Sequence, residues 1–258
     1  PDGQTINLSS RDLIETEVRG AEPPPLPQSE SSSWSLGSTN FTAPIDINQS
    51  NLPRHMTRFI GRESEVARLH DLMVTDHQLV TVLGPGGMGK SRLAIHYASK
   101  YLDLYSGGAW FVDLSSAHDL EAILTATGAA LNVPLADEDG DQAIERLGHA
   151  IAGRDQVLMI FDNFEQVVSL AEKCFKVWLR LAPNARFIVT SQRRLSLRAE
   201  SVLELDPLSG NHGLDLFVAC ARKVRKTFKL KDDERELVQE IVRRLDGIPL
   251  AIELAAAR

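Results

Sequence analysis

The chain contains 258 residues, of which 43% are hydrophobic and 24% are charged, so it can bury the core of one α/β domain and part of another. Its formal net charge of −7 argues against a surface for general nucleic-acid binding, and we expect no direct nucleic-acid contact. No apolar run approaches the roughly 18 residues of a membrane span, no secretory signal is evident, and both cysteines lie in helix-like patterns, so we expect a protein of the reducing cytoplasm without membrane contact.

Residues 1–50 have the composition of a linker or of the end of an upstream domain. They contain a proline-rich run at 23–27 and a serine-rich run at 29–33, with few large aliphatic residues. Apolar residues between positions 6 and 19 leave a packed segment open as the alternative. We therefore predict the first boundary near residue 50.

From residue 51 to residue 207, strand patterns alternate with helix patterns, which predicts an α/β fold with a parallel sheet and right-handed crossovers. Short apolar runs, several rich in β-branched residues, predict strands at 78–83, 109–114, 157–161 and 186–190. Helical periodicity predicts helices near 63–75, 90–101, 118–131, 140–152 and 165–181.

Near Pro207 the alternation stops, and residues 208–258 are predicted to form the start of a small helical subdomain. Apolar residues recur at helical spacing from Leu214 to Val224 and from Leu237 to Leu245. Gly247 fits the C′ position after a helix, and Pro249 fits the first turn of the next helix.

The most specific pattern in the chain is GxxxxGK[ST], which predicts a phosphate-binding P-loop between the first strand and the helix that follows it. Glycines allow successive main-chain N–H groups to converge on phosphate oxygens, and the helix N-terminus adds partial positive charge. Lys90 is predicted to reach the β- and γ-phosphates, and the Ser91 hydroxyl to bind Mg²⁺. The candidate nucleotide-binding residues of this segment are Gly84, Pro85, Gly86, Gly87, Met88, Gly89, Lys90, Ser91 and Arg92.

Asp162 is the candidate second carboxylate of this site, because it ends an apolar strand about 70 residues after the P-loop, where a Walker B aspartate orients Mg²⁺. Hydrolytic P-loop enzymes often place another carboxylate directly afterwards, but this position is Asn163. Glu165 is the candidate base two residues further on, and its alternative role is that of a carboxylate at a helix N-terminus. We therefore expect slow hydrolysis.

The order of four stretches resembles the STAND class of P-loop NTPases, in particular the NB-ARC-like ATPase modules of bacterial regulators of the LuxR and SARP types. These stretches are Asn51-Leu52-Pro53 with the segment 59–63, then the P-loop, the segment 158–165, and the segment 243–255. The resemblance covers about residues 51–258 and implies ATP or ADP with Mg²⁺ as cofactors. It also implies that Phe59, Ile60, Gly61 and Arg62 lie along the adenine and ribose and that the segment containing Pro249 closes over the base.

The chain departs from this resemblance after the fourth strand. Such modules commonly carry Thr-Ser-Arg or Thr-Thr-Arg there, whereas this sequence has Gln192 in the arginine position. Arg193 is the candidate to sense the γ-phosphate by a shift of one residue, and a solvent-exposed role for it stays open.

Two functions follow as expectations. The first is a regulated ATP switch in which exchange of ADP for ATP moves the helical subdomain, with further domains after Arg258 and self-association of the full-length protein in the ATP state. The second is a turnover ATPase of the AAA type that uses Glu165 as its base. A binding scaffold with a vestigial nucleotide site is a further alternative.

Overall fold

A parallel sheet of five strands forms the centre of the protein, which we describe from a computed structural model covering residues 50–53, 59–75, 77–135 and 139–258. The spatial order is β2-β3-β4-β1-β5, and every neighbouring pair is parallel. The strands are β1 (Leu79–Leu83), β2 (Ala109–Asp113), β3 (Leu158–Asp162), β4 (Arg186–Ser191) and β5 (Glu200–Glu204). The predicted α/β fold is confirmed, while the segment predicted as a linker, residues 1–50, lies outside the described residues except for Ser50.

Eight α-helices are found in the described ranges. They are α1 (Glu63–Val74), α2 (Lys90–Lys100), α3 (Leu120–Leu131), α4 (Gly140–Ala152), α5 (Ala171–Leu181), α6 (Gly210–Val224), α7 (Asp232–Arg244) and α8 (Pro249–Ala256). None of the helices described here has both the length and the apolar character needed to cross a membrane.

The sheet is buried on both faces, which is why its central strands are almost continuously apolar. On one face, α3, α4 and α5 cover an aromatic cluster made of Phe161, Phe164, Phe175, Trp178 and Phe187. On the other face, α1 and α2 contribute Leu69, Leu93 and Tyr97 to a second core. Helices α6, α7 and α8 share a third apolar core of their own.

Two predicted elements need correction. The sequence indicated four strands, but β5 adds a fifth at the edge of the sheet beside β1. The helix predicted at 165–181 begins only at Ala171, after two short 3-10 turns at Phe164–Gln166 and Val168–Leu170. Asn163, with a φ of 60°, is the left-handed residue that ends β3 and directly precedes the first of these turns.

The end of α7 corrects the predicted role of Gly247 by one residue. Asp246 occupies C′ with a φ of 51°, and Gly247 follows at C″ with a φ of 64°. The Gly247 N–H donates to the Val242 carbonyl at 3.1 Å, and the Asp246 N–H donates to the Arg243 carbonyl at 3.0 Å, which is the Schellman pattern. A Cβ at Gly247 would lie 2.5 Å from the Leu208 carbonyl oxygen. Pro249 begins α8, as predicted.

Two glycines of α6 give a matched test of how tightly the helical segment formed by α6, α7 and α8 packs. A Cβ on Gly213 would lie 2.5 Å from Cγ1 of the buried Val242, whereas a Cβ on Gly210 would meet no atom within 4 Å. We expect Gly213→Ala to lower the free energy of unfolding by about 1–3 kcal/mol through overpacking. Gly210→Ala is expected to be neutral or to stabilise by up to about 1 kcal/mol, because alanine favours helix. Urea denaturation of both variants tests this, and equal effects would contradict it.

Candidate functional site

The P-loop lies between β1 and α2, at the carboxyl edge of the sheet. Gly87 and Gly89 adopt left-handed backbone angles, with φ values of 78° and 85°. A Cβ on Gly89 would meet nothing within 4 Å, and a Cβ on Gly86 would have only Gln192 Nε2 nearby, at 3.9 Å. The loop therefore borders open space next to the N-terminus of α2, which fits the room and the main-chain donors that a polyphosphate requires.

Lys90 places its ammonium group inside this loop. The residue is 7% exposed, and its Nζ donates to the carbonyl oxygens of Gly84 and Pro85, both at 2.9 Å. Burial lowers the pKa of Lys90, while the carboxylates of Glu165 and Asp162 act in the opposite direction. The predicted P-loop lysine is thus held beside the two predicted carboxylates.

Asp162 ends β3 and is 5% exposed. Its Oδ1 accepts a hydrogen bond from Thr190 Oγ1 at 2.5 Å, its Oδ2 accepts from Asn163 Nδ2 at 3.2 Å, and it also hydrogen-bonds with the Ser91 side chain. Burial raises the pKa of Asp162 above its usual value, against the lowering effect of the Ser91 and Thr190 hydrogen bonds. The structure therefore brings the two candidate magnesium ligands, Ser91 and Asp162, into contact, and hydroxyl and carboxylate oxygens suit that ion.

Two residues of this region were missed by the sequence reasoning. Thr190 is fully buried in β4 and orients Asp162. The feature of the sequence that indicates its role is a polar residue within an apolar strand. Asp113 ends β2 directly opposite Asp162 in the β2–β3 register, and its charge contributes to the raised pKa of Asp162. The sequence pattern that indicates Asp113 is the same as for Asp162, namely an aspartate at the end of an apolar strand.

Glu165 lies in the 3-10 turn that follows β3, not at the N-terminus of an α-helix. Its Oε1 accepts a hydrogen bond from Gln192 Nε2 at 3.0 Å. Its Oε2 is buried and has no hydrogen-bond partner among the described residues. Buried carboxylate oxygens usually accept a hydrogen bond, and in the described part of the chain Oε2 of Glu165 is an exception. This indicates that a hydrogen-bond donor belongs beside this oxygen.

Arg193, the candidate γ-phosphate sensor, is exposed at the end of β4. Its backbone N–H donates to Ser191 Oγ at 3.0 Å. Within the described part of the chain, its guanidinium group has neither a hydrogen bond nor an ion pair. The neighbouring Arg194 pairs instead with Glu204 of β5 at 2.5 Å.

A second group of predicted residues surrounds a small cavity of about 30 Å³ between the P-loop and the helical segment. Its lining includes seven residues predicted to bind nucleotide, namely Phe59, Ile60, Arg62, Met88, Gly89, Arg92 and Pro249, together with Leu208 and Leu216. Arg62 is buried, pairs with Glu65 at 2.5 Å and donates to the Met88 carbonyl at 3.4 Å. The structure therefore brings together residues far apart in sequence that the resemblance assigned to the base and ribose.

Gly61 lies beside this cavity and has a φ of 71°. A Cβ at this position would lie 2.5 Å from the Cβ of His212 on α6, so only glycine permits the close approach. Phe59 stacks on His96 of α2 with 3.9 Å between ring centroids. The segment that precedes α1 is thus fixed between α2 and α6.

The helical segment contacts the P-loop directly through α8. The Leu250 N–H, one of the free donors of the first turn of α8, donates to the Gly87 carbonyl at 3.1 Å. Arg92, directly after the P-loop, forms an ion pair with Glu253 of α8 at 3.0 Å. The P-loop and α8 are therefore in direct contact through one hydrogen bond and one adjacent ion pair.

Comparison with known proteins places this arrangement in a family. The family model described as "AAA ATPase domain" matches residues 58–246. The chain belongs to the AAA ATPase domain family. Nucleotide binding is the shared property of such P-loop ATPases.

Relatives of this AAA ATPase domain include regulators. It is 37% identical over 211 residues to an uncharacterized protein of Mycobacterium tuberculosis, a match that covers 81% of this chain and 53% of that protein. It is 28% identical over 225 residues to the regulatory protein AfsR of Streptomyces griseus, covering 82% of this chain and 22% of AfsR. The chain thus spans about half the length of the first relative and less of the second.

The AAA ATPase domain shares its fold with a Signal Transduction ATPase with Numerous Domains (STAND) protein of Pyrococcus horikoshii that has a tetratricopeptide repeat sensor. The TM-score is 0.55 at 19% identity, over 79% of this chain and 30% of that chain. Together with the family match and the likeness to AfsR, this shared fold confirms the predicted resemblance to STAND-class ATPases of regulators.

Proposed function

We propose that this chain is the ATP- and ADP-binding switch module of a cytoplasmic signal-transduction ATPase of the STAND class, with slow hydrolysis. The observation that carries the proposal is the contact of α8 with the P-loop, in which the Gly87 carbonyl accepts from the Leu250 N–H. Because the P-loop is hydrogen-bonded to α8, exchange of ADP for ATP in the loop is suited to move α8.

The residues of the site fit Mg²⁺ and a nucleotide in distinct roles. The P-loop amides and Lys90 bind the phosphates, and Phe59, Arg62 and Pro249 contact the base and ribose, which requires the cavity of about 30 Å³ that they line to widen. Ser91 and Asp162 hold the ion, which when bound supplies positive charge against the β- and γ-phosphates. Arg193 is exposed and without a partner in the described part of the chain, so it is available to approach the γ-phosphate.

Slow hydrolysis is inferred from the residue that follows Asp162. Asn163 donates its side-chain amide to Asp162 Oδ2 at 3.2 Å and offers no carboxylate to a water molecule. The binding energy of the nucleotide, rather than rapid turnover, then controls the conformation. The likeness to AfsR supports a regulatory role, with self-association of the full-length protein in the ATP state as its output. We further propose the module boundaries near residues 50 and 207.

Hydrogen exchange measured by mass spectrometry tests the switch. We expect the amides of residues 247–256 to differ in protection between the complex with ADP and the complex with a non-hydrolysable ATP analogue, because Leu250 and Glu253 contact the P-loop and Arg92. Amides of the aromatic core around Phe175 serve as the internal control and should not differ. Identical protection of α8 in the two saturated complexes would contradict a switch.

The buried Oε2 of Glu165 favours a second candidate, a turnover ATPase of the AAA type. Steady-state hydrolysis separates the two functions. A rate of several molecules per second, lost in Glu165→Gln, would support the turnover enzyme.

A further inference from the structure

Glu165 and Gln192 reach each other from neighbouring strands. Glu165 follows β3 and Gln192 directly follows β4, and these strands are paired in the sheet. The Gln192 Nε2 donates to Glu165 Oε1 at 3.0 Å across 27 positions of sequence. This hydrogen bond fixes one oxygen of the carboxylate and thereby the orientation of the other.

The pair lies beside the phosphate-binding loop. Gln192 Nε2 is 3.9 Å from the position of a Cβ on Gly86, and the carboxylate of Glu165 acts electrostatically on the ammonium group of Lys90. The Oε2 of Glu165 is buried and lacks a hydrogen-bond donor in the described ranges. An acceptor in this situation requires a donor, and a water molecule beside the γ-phosphate would supply one.

We propose that Gln192 is a positioning residue that holds Glu165 so that Oε2 acts as the general base of ATP hydrolysis. The inference rests on the proposed function, because it requires ATP in the P-loop. A water oxygen bonds to the γ-phosphorus as the bond from phosphorus to the β–γ bridging oxygen breaks. The water proton passes to Glu165 Oε2, and the bridging electron pair leaves with ADP.

A glutamine suits this role better than the arginine found at this position in the modules that the chain resembles. A guanidinium group beside Glu165 would form an ion pair and stabilise the charged carboxylate, which reduces its tendency to accept a proton. The neutral amide of Gln192 donates one hydrogen bond and adds no net charge. Gln192 therefore orients the carboxylate through one hydrogen bond and places no cation next to it.

Single-turnover hydrolysis of Mg-ATP by the full chain tests the proposal, with affinity measured separately by calorimetry. Gln192→Ala and the isosteric Gln192→Glu, which cannot donate, are expected to lower the hydrolysis rate by about 10–100-fold through misplacement of the base. Affinity for ATP should change by less than about threefold in Gln192→Ala, since the phosphate-binding groups are untouched. Gln192→Glu adds a negative charge beside the P-loop, so its rate is compared at saturating ATP. Arg194→Ala, an exposed residue of the same turn, is the matched control and should keep the rate.

A double-mutant cycle decides whether Gln192 acts through Glu165. In a Glu165→Ala background, adding Gln192→Ala should cause no further loss of rate, because the group that Gln192 positions is gone. A further loss of the same size as in the wild-type background would overturn the proposal, as would a wild-type chain that binds Mg-ATP and hydrolyses none of it. Absence of ATP binding by the wild-type chain would instead contradict the proposed function itself.

Discussion

Lys90→Ala is expected to weaken ATP binding by at least about 25-fold. The P-loop encloses the ammonium group of Lys90, which donates hydrogen bonds to the carbonyls of Gly84 and Pro85. The negative charges of Glu165 and Asp162 favour the charged form of this group. Removal of one partner of a buried, charged contact typically costs about 2–5 kcal/mol, and each 1.4 kcal/mol is about tenfold in affinity. The variant should therefore lose the stabilisation that millimolar Mg-ATP gives to the wild-type chain.

Thermal denaturation with and without Mg-ATP measures this effect. Lys90→Arg keeps the positive charge. Comparing it with Lys90→Ala shows whether the loss of ATP-dependent stabilisation is due to the missing charge or to a lower stability of the variant without nucleotide. Lys173→Ala is the matched control, because Lys173 is exposed and pairs with Asp141 away from the P-loop. Unchanged ATP-dependent stabilisation in Lys90→Ala would favour a scaffold with a vestigial nucleotide site.

Phe161→Ala is expected to lower the free energy of unfolding by about 3–5 kcal/mol. Phe161 is fully buried in β3 and contacts the rings of Phe164, Phe175, Trp178 and Phe187, with centroid distances from 5.4 to 6.5 Å. Its removal leaves a cavity at the centre of this cluster and removes several aromatic contacts at once.

Urea denaturation of Phe161→Ala measures this loss. The control is Leu104→Ala, since Leu104 is 48% exposed and its truncation should cost under about 1 kcal/mol. If the two variants lost similar stability, the aromatic cluster would not be the main core of the domain. A variant too unstable to purify is replaced by Phe161→Leu, for which we expect a smaller loss in the same direction.

The central strands could be predicted from sequence because burial on both faces makes them continuous apolar runs, as at Leu158–Asp162. Strand β5 could not, because it lies at the edge of the sheet. Only Leu203 of this strand is buried, and glutamates stand at both of its ends. A short edge strand with polar ends has no pattern that distinguishes it from a loop.

The parts of the site that lie within one segment were also predictable. The P-loop needs glycines, lysine and serine at fixed spacing, and this spacing is visible in the sequence. The contacts of Thr190 with Asp162 and of Gln192 with Glu165 were not predictable, because they depend on β4 lying next to β3 in the sheet. Strand order is a property of the whole chain and is not written in either strand alone.

Calorimetric titration of the wild-type chain with Mg-ATP and with Mg-ADP tests the central claim most directly. We expect saturable binding of both nucleotides at one site per chain, and the binding should weaken when Mg²⁺ is removed with a chelator. Correctly folded protein that gives neither heat nor saturation with either nucleotide at millimolar concentration would contradict it.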